Sequence, residues 1–208
     1  MMACYVNNHP LVQDALSTLR RTTTTTEQFR KATKRISHLL IAEATRNIRI
    51  NPIKVETSLG IADGFTIASD VVFVPILRAG LGMLEVALEL IPAARVGYIG
   101  LERDETTAAA STYYSKLPND LTSSQVFVLD PMLATSGSAV RAMDILRKVG
   151  ATDCHLICII AAKDGIRTFE KCHPNVPVHT SAVDPTLNEQ QYIVPGLGDF
   201  GDKLYGTS

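Results

Sequence analysis

Net charge is almost absent from this chain: 20 Lys and Arg stand against 21 Asp and Glu, leaving −1 over 208 residues. Such a surface has no general pull on nucleic acid or an anionic membrane, so bulk charge points to small-molecule chemistry, with room for a local basic site that takes an anion. The opening "MMACYVNNHPLVQ" lacks the basic start and apolar run of a leader, and no apolar segment is long enough to span a bilayer. The expected location is therefore the cytoplasm, with no membrane and no nucleic acid among the partners. Cysteine is scarce. Cys4, Cys154, Cys158 and Cys172, with His155 and His173 beside two of them, raise the idea of a metal site. Against it, Cys154 and Cys158 flank a strand-like "HLICII", and four strand residues span about 13 Å, whereas thiolates sharing a zinc each sit about 2.3 Å from it. Reduced core thiols are the preferred reading, and no side chain is assigned as a metal ligand. Repeats and dividing linkers are missing too, and an apolar share of 46% is that of an ordinary globular chain, read as one domain over residues 1–208.

Two helical stretches open the chain, "HPLVQDALSTLRR" and a longer one from about Glu27 to Arg46. The threonine run between them reads as a helix start, with Thr24 and Glu27 at capping-box spacing. "IRINPIKVETSLGIADG" reads as a β excursion outside the main core, a hairpin or arm suited to an oligomer interface. From Asp70 onward "VVFVPIL", "VGYIGL", "QVFVLD", "HLICIIAA" and "VHTSAV" are short and almost wholly apolar, the texture of strands covered on both faces. Helix-like "GLGMLEVALELI", "SAVRAMDILRKVG" (with Gly150 as its stop) and "DGIRTFEKCH" lie between them. The alternation predicts a doubly wound α/β fold with about five parallel strands.

Ligands of such sheets sit beyond the carboxyl ends of the strands. In "QVFVLDPMLATSGSAV" a strand ends at Asp130, and Thr135, Ser136, Gly137 and Ser138 open a helix whose free N–H groups and dipole suit a phosphate. A helix merely capped by Ser or Thr is the plain alternative. No Lys follows the glycine, which excludes a Walker A loop. Asp130 beside such a cradle suits a phosphorylated sugar, the carboxylate accepting from ribose hydroxyls. At two other strand ends, Arg78 in "VPILRAGLGM" and Arg103 in "GLERDE" are either pyrophosphate ligands or ordinary surface or ion-paired arginines. Near the C-terminus, Gly196, Gly198 and Gly201 have G-x-G-x-x-G spacing, but the seven residues after Gly201 cannot supply the helix and strand of a dinucleotide site.

Together "LDPMLATSGSA", "VPILRAGLGM" and "LNEQQYIVPGLGDFGDKLYGT" resemble, in order and over essentially the whole chain, the motifs of the uracil phosphoribosyltransferase family. The resemblance implies a type I phosphoribosyltransferase-like parallel sheet flanked by helices, with a small hood formed by residues 184–208 and a β arm. It implies transfer of the phosphoribosyl group of phosphoribosyl pyrophosphate (PRPP) to uracil, giving UMP and diphosphate. The PRPP residues it implies are Arg78, Arg103, Asp130, Pro131, Met132, Leu133, Ala134, Thr135, Ser136, Gly137, Ser138 and Asp199. Ile193, Gly198, Asp199 and Phe200 would take uracil, the glycines bending the backbone around a flat base. Asp130, Arg103 and Asp199 carry the catalytic roles, Asp199 as a relay for the N1 proton or as a loop-shaping carboxylate. Ser136 stands where a second glycine is expected, and "DETTAAASTYYSKLP" is read as a flexible stretch with Arg103 beside it. Because Pro131 follows Asp130, there is no acidic pair, so Mg²⁺ would be held mainly through PRPP and water. The resemblance further implies a homodimer or homotetramer, and GTP is a candidate effector. A nucleotide-sensing regulator on the same fold is the alternative, expected to show a basic patch that the balanced charge does not suggest.

Overall fold

The computed structural model describes residues 4–103 and 110–207. The chain begins with an edge strand, β1 (Cys4–Val6), followed by α1 (Pro10–Arg20) and α2 (Thr26–Ala44). α1 starts where the His9 ring accepts the N–H of Leu11 at 3.1 Å and Pro10 fills the first turn, a position where no backbone donor is needed. The threonine run does start α2, but one residue later than its spacing suggested. Thr25 is the cap and exchanges hydrogen bonds with Gln28, while Glu27 turns outward to pair with Lys31 at 2.6 Å. β2 (Ile50–Thr57) and β3 (Gly60–Ile67) form the expected arm, an antiparallel ribbon on which Leu59, Ile61 and Phe65 stand exposed.

The rest of the chain alternates strands and helices: β4 (Val71–Leu77), α3 (Leu81–Leu90), β5 (Arg95–Val96), β6 (Tyr98–Arg103), β7 (Ala110–Lys116), β8 (Gln125–Leu129), β9 (Met132–Leu133), α4 (Gly137–Lys148), β10 (Asp153–Ile157), β11 (Ile160–Ala162), α5 (Lys163–Cys172), β12 (Val178–Thr180), β13 (Ala182–Asp184), β14 (Thr186–Leu187), β15 (Ile193–Val194) and α6 (Phe200–Tyr205). The main sheet runs β1-β12-β10-β8-β4-β6-β7 with β5 beside β4, and every pairing in it is parallel except β6 with β7. All five apolar runs contribute strands to it, and "HLICIIAA" and "VHTSAV" run on past it into β11 and β13 of a second, three-stranded sheet. β1 and β7 were not foreseen, and β7 corrects the reading of "STYYSK" as flexible, since these residues pair antiparallel with β6. Residues 104–109 of that stretch lie outside the described residues.

Alternation along the strands builds a core on each face. Val71 and Phe73 pack under α1, α2 and α3 with Phe29, Ile36 and Met83, while Val72 and Val74 pack under α4 and α5 with Ala142, Met143 and Phe169. Cys154 and Cys158 are buried free thiols; burial pushes Cys154 up to about 11 and Cys158 higher still. Cys172 departs from the core reading, being exposed at the end of α5, and Cys4 is half-buried. Among the described residues no helix is long and apolar enough to cross a membrane.

Candidate active site

β8, β10 and β12 stop at one level, and after a short break the chain resumes as a second small parallel sheet, β13-β11-β9. Pro131 sits in the first break, its carbonyl accepting the N–H groups of Ile159 and Ile160 at 2.9 and 3.1 Å, so the turn after Asp130 is fixed from the neighbouring strand. Asp130 itself is half-buried at the end of β8. Desolvation pushes its carboxyl up to about 7, opposed only in part by the N–H of Met132. The loop then enters α4 through Ser136, whose backbone is left-handed (φ 67°, ψ 0°) and whose side chain makes no capping bond. Ser136 is therefore not a side-chain cap of α4. The ladder of α4 begins with Val140 N–H to Ser136 O at 2.9 Å, leaving the N–H groups of Gly137 and Ser138 ahead of it, as an anion cradle requires.

Ser136 Oγ is buried without a hydrogen-bond partner among the described residues. A left-handed serine with an unpaired hydroxyl is doubly unfavourable, so Ser136→Gly is expected to stabilise the protein by about 1–2 kcal/mol in urea unfolding, with PRPP KM equal or lower. A loss of stability would show that the hydroxyl has a partner role after all.

On the second strand end, Arg78 follows β4 and is exposed, with no carboxylate paired to it among the described residues. Its guanidinium lies 6.0 Å from the ring centroid of Tyr205, whose hydroxyl donates to Arg78 O at 3.0 Å. α6 thus supports the Arg78 turn, a role for Tyr205 that the sequence did not reveal. Arg103 ends β6, next to the residues outside the description.

The C-terminal segment is held from α1. The Arg20 guanidinium makes a two-pronged pair with Asp184 (2.7 Å at each nitrogen) and also donates to Gly196 O at 2.8 Å, while Gly196 N–H donates to Asp184 Oδ2 at 2.9 Å. Gly196 is therefore clamped through both backbone groups. Its φ is +59°, and an added Cβ would lie 1.9 Å from Ile193 O, so no other residue fits. Neither clamp residue was singled out in the sequence. Asp184 follows an apolar run just as Asp130 does and was legible by that rule; Arg20, 164 residues away, carried no signal. Arg20→Ala would leave the nearly buried Asp184 unpaired, and is expected to cost roughly 3 kcal/mol of stability and to raise KM for uracil more than KM for PRPP, as thermal melts and steady-state kinetics would report.

These elements meet around a cavity of about 310 Å³, with Met132 and Ala134 of the loop on one wall and Ile193, Gly198, Asp199 and Phe200 on the other. Ala79, the residue after Arg78, lines it. Phe200 lines it as well, with its buried ring lying edge-on to Phe29 at 5.1 Å. Asp199 Oδ1 accepts the N–H of Asp202 at 2.9 Å and caps α6, which is the loop-shaping role. Among the described residues no three His, Cys, Asp or Glu side chains converge as a metal cage. Asp199, on the cavity wall, suits the surroundings of an ion that keeps most of its water and takes substrate phosphates, as Mg²⁺ does.

A mostly parallel sheet, a strand-end carboxylate leading into an N–H-lined loop, and a separate C-terminal cover define a phosphoribosyltransferase of type I fold. A hypoxanthine phosphoribosyltransferase from Staphylococcus aureus shares that fold at a TM-score of 0.54 and 11% identity, over 83% of this chain and 81% of that one. The chain belongs to the uracil phosphoribosyltransferase family, which its residues 6–207 match. It is 48% identical over 203 residues to the uracil phosphoribosyltransferase of Agathobacter rectalis (97% of each chain) and 48% identical over 203 residues to that of Dictyoglomus thermophilum (97% of this chain, 98% of the relative). The AQ2163 protein of Aquifex aeolicus superposes at a TM-score of 0.93 with 38% identity over 99% of both chains. Nothing in these likenesses favours the nucleotide-sensing regulator.

Proposed function

We propose that this enzyme joins uracil to the phosphoribosyl group of PRPP, releasing diphosphate and UMP. The observation that carries the reading is the shared cavity: loop residues Met132 and Ala134 face the segment of Ile193 and Gly198 across it, so a sugar at Asp130 and a base under the C-terminal segment would meet. The C1–O bond to diphosphate breaks, the uracil N1–C1 bond forms, and N1 gives up its proton. Positive charge builds on the ribose while negative charge builds on the leaving group, so catalysis is charge placement and alignment. Arg78 and Arg103 hold the diphosphate. Asp130, ionised, accepts from the ribose hydroxyls, and the N–H groups at the start of α4 hold the 5-phosphate. Asp199 would sit near a Mg²⁺ ion held mainly through PRPP and water, and such an ion would supply further positive charge against the departing diphosphate.

Uracil presents an N3–H donor between two carbonyls. A backbone bent through Gly198 and flanked by Ile193 and Phe200 meets that pattern with N–H, C=O and N–H groups. Asp199, with Oδ1 engaged in the cap of α6, keeps its other oxygen for the N1 proton. Formation of UMP and diphosphate from uracil, PRPP and Mg²⁺, stopped by a chelator, tests the reading; an enzyme that turns over PRPP with no requirement for uracil would refute it.

The single domain of residues 1–208, with residues 184–208 as its hood, works in the cytoplasm, in keeping with reduced thiols. The arm implies a homodimer or homotetramer. A lone two-stranded ribbon with exposed Leu59, Ile61 and Phe65 has no core of its own, and a second copy is its natural cover. Size-exclusion chromatography with and without GTP would test both the assembly and the effector; a monomer in both conditions would refute the pairing.

A further inference from the structure

Two non-glycine residues among those described have a left-handed backbone, Ser136 (φ 67°) and Gln191 (φ 65°), and both border the site. Ser136 belongs to the phosphate loop, but Gln191 has no assigned part. It ends the turn between β14 and β15, where its N–H donates to Asn188 O at 2.9 Å and the N–H of Tyr192 donates to Asn188 Oδ1 at 2.8 Å. That turn closes through backbone groups and Asn188, so glycine would make it at lower cost. A residue kept in an unfavourable conformation beside a site, where a better one for the backbone exists, points to a use for its side chain.

The position says what the use is. Gln191 is exposed and lines two hollows: the base-side cavity with Ile193 and Gly198, and a second of about 360 Å³ with Thr135, Asp164 and Asn188. Thr135 opens the phosphate loop, so a residue on both walls spans from the base toward the 5-phosphate. A carboxamide there is a neutral donor, suited to a phosphate oxygen that already meets the N–H groups of α4 from the other side. Resting on the proposed reaction, we propose that Gln191 is a substrate-positioning residue whose side-chain NH₂ donates to the 5-phosphate carried by both PRPP and UMP.

The test compares Gln191→Gly and Gln191→Glu with the parent enzyme. Gln191→Gly relieves the backbone, so its melting temperature should equal or exceed that of the parent. Its KM for PRPP should nevertheless rise about tenfold, about 1.4 kcal/mol, and KM for UMP should rise comparably in the reverse reaction. KM for uracil and kcat should stay within about twofold, on the premise that only the phosphate contact is lost. Gln191→Glu, which sets a carboxylate against the phosphate, should raise KM for PRPP further, and added salt should narrow the gap. An unchanged KM for PRPP in a folded Gln191→Gly protein would overturn the proposal, and so would a rise confined to KM for uracil, which would put the side chain on the base. A parent that forms no UMP would instead overturn the reaction itself, and that result is seen before any variant is compared.

Discussion

Replacing Asp130 by Asn is expected to lower kcat/KM by about a hundredfold, the equivalent of about 2.7 kcal/mol, because the charged acceptor of the ribose hydroxyls is lost. The same change should stabilise the free protein at pH 8. Desolvation holds Asp130 at about 7 in the folded state, above the ordinary carboxylate value, so the folded protein binds this proton more tightly than the unfolded chain. Stability contributed by Asp130 is therefore complete below about pH 4 and is lost as pH rises through about 7, where the half-buried carboxylate must ionise. Asn has no charge to desolvate. The gap in stability between variant and parent should thus open between pH 4 and pH 8 in favour of the variant, by roughly 1–3 kcal/mol at the alkaline end. Loss of activity with gain of stability separates a functional carboxylate from a structural one. Equal activity, or a variant less stable at pH 8, would remove Asp130 from the ribose site.

The second large effect is expected at Gly198, where Gly198→Val should abolish uracil use while leaving PRPP binding largely intact. The residue has φ +83°, a conformation that a β-branched side chain adopts only under strain. Space is not the obstacle in the free protein, because an added Cβ would meet only the end of the Lys203 side chain, at 3.4 Å. The cost falls on the backbone geometry that faces the cavity and on the approach of a planar base. In the proposed binding mode PRPP would keep the α4 cradle, Asp130 and Arg78, which lie in other elements. Calorimetric titration with PRPP, followed by uracil turnover, checks the division. A folded variant with undiminished turnover would defeat the assignment of this segment to the base.

The sheet was legible in the sequence, and the loop proposed to hold phosphate could be singled out, because both are local signals. Buried parallel strands such as β4 and β8 read as continuous apolar runs, and an anion loop is a contiguous stretch from Asp130 to Ser138. β7 was not legible: "STYYSK" is a polar, exposed strand at the sheet edge, with no run to mark it. The clamp of Arg20, Asp184 and Gly196 joins α1 to the C-terminal segment across most of the chain, and no spacing rule links residues so far apart. Tyr205 beneath Arg78 is hidden for the same reason. Ser136 was visible as a serine in a glycine position, but only its dihedral shows that the left-handed conformation was kept. Gln191 gave no such warning, since a glutamine in a polar turn looks ordinary until its φ is known.

In the proposed reaction the backbone of the C-terminal segment reads uracil while the loop after β8 holds PRPP. The most direct test is kcat/KM for uracil, cytosine and hypoxanthine, measured side by side with saturating PRPP and Mg²⁺. A site built to pair N3–H and both carbonyls leaves buried polar groups unmatched by cytosine, so uracil should be preferred by about 10⁴-fold or more. Hypoxanthine should give no detectable nucleotide. Comparable rates with cytosine, or nucleotide formed from hypoxanthine, would contradict the account.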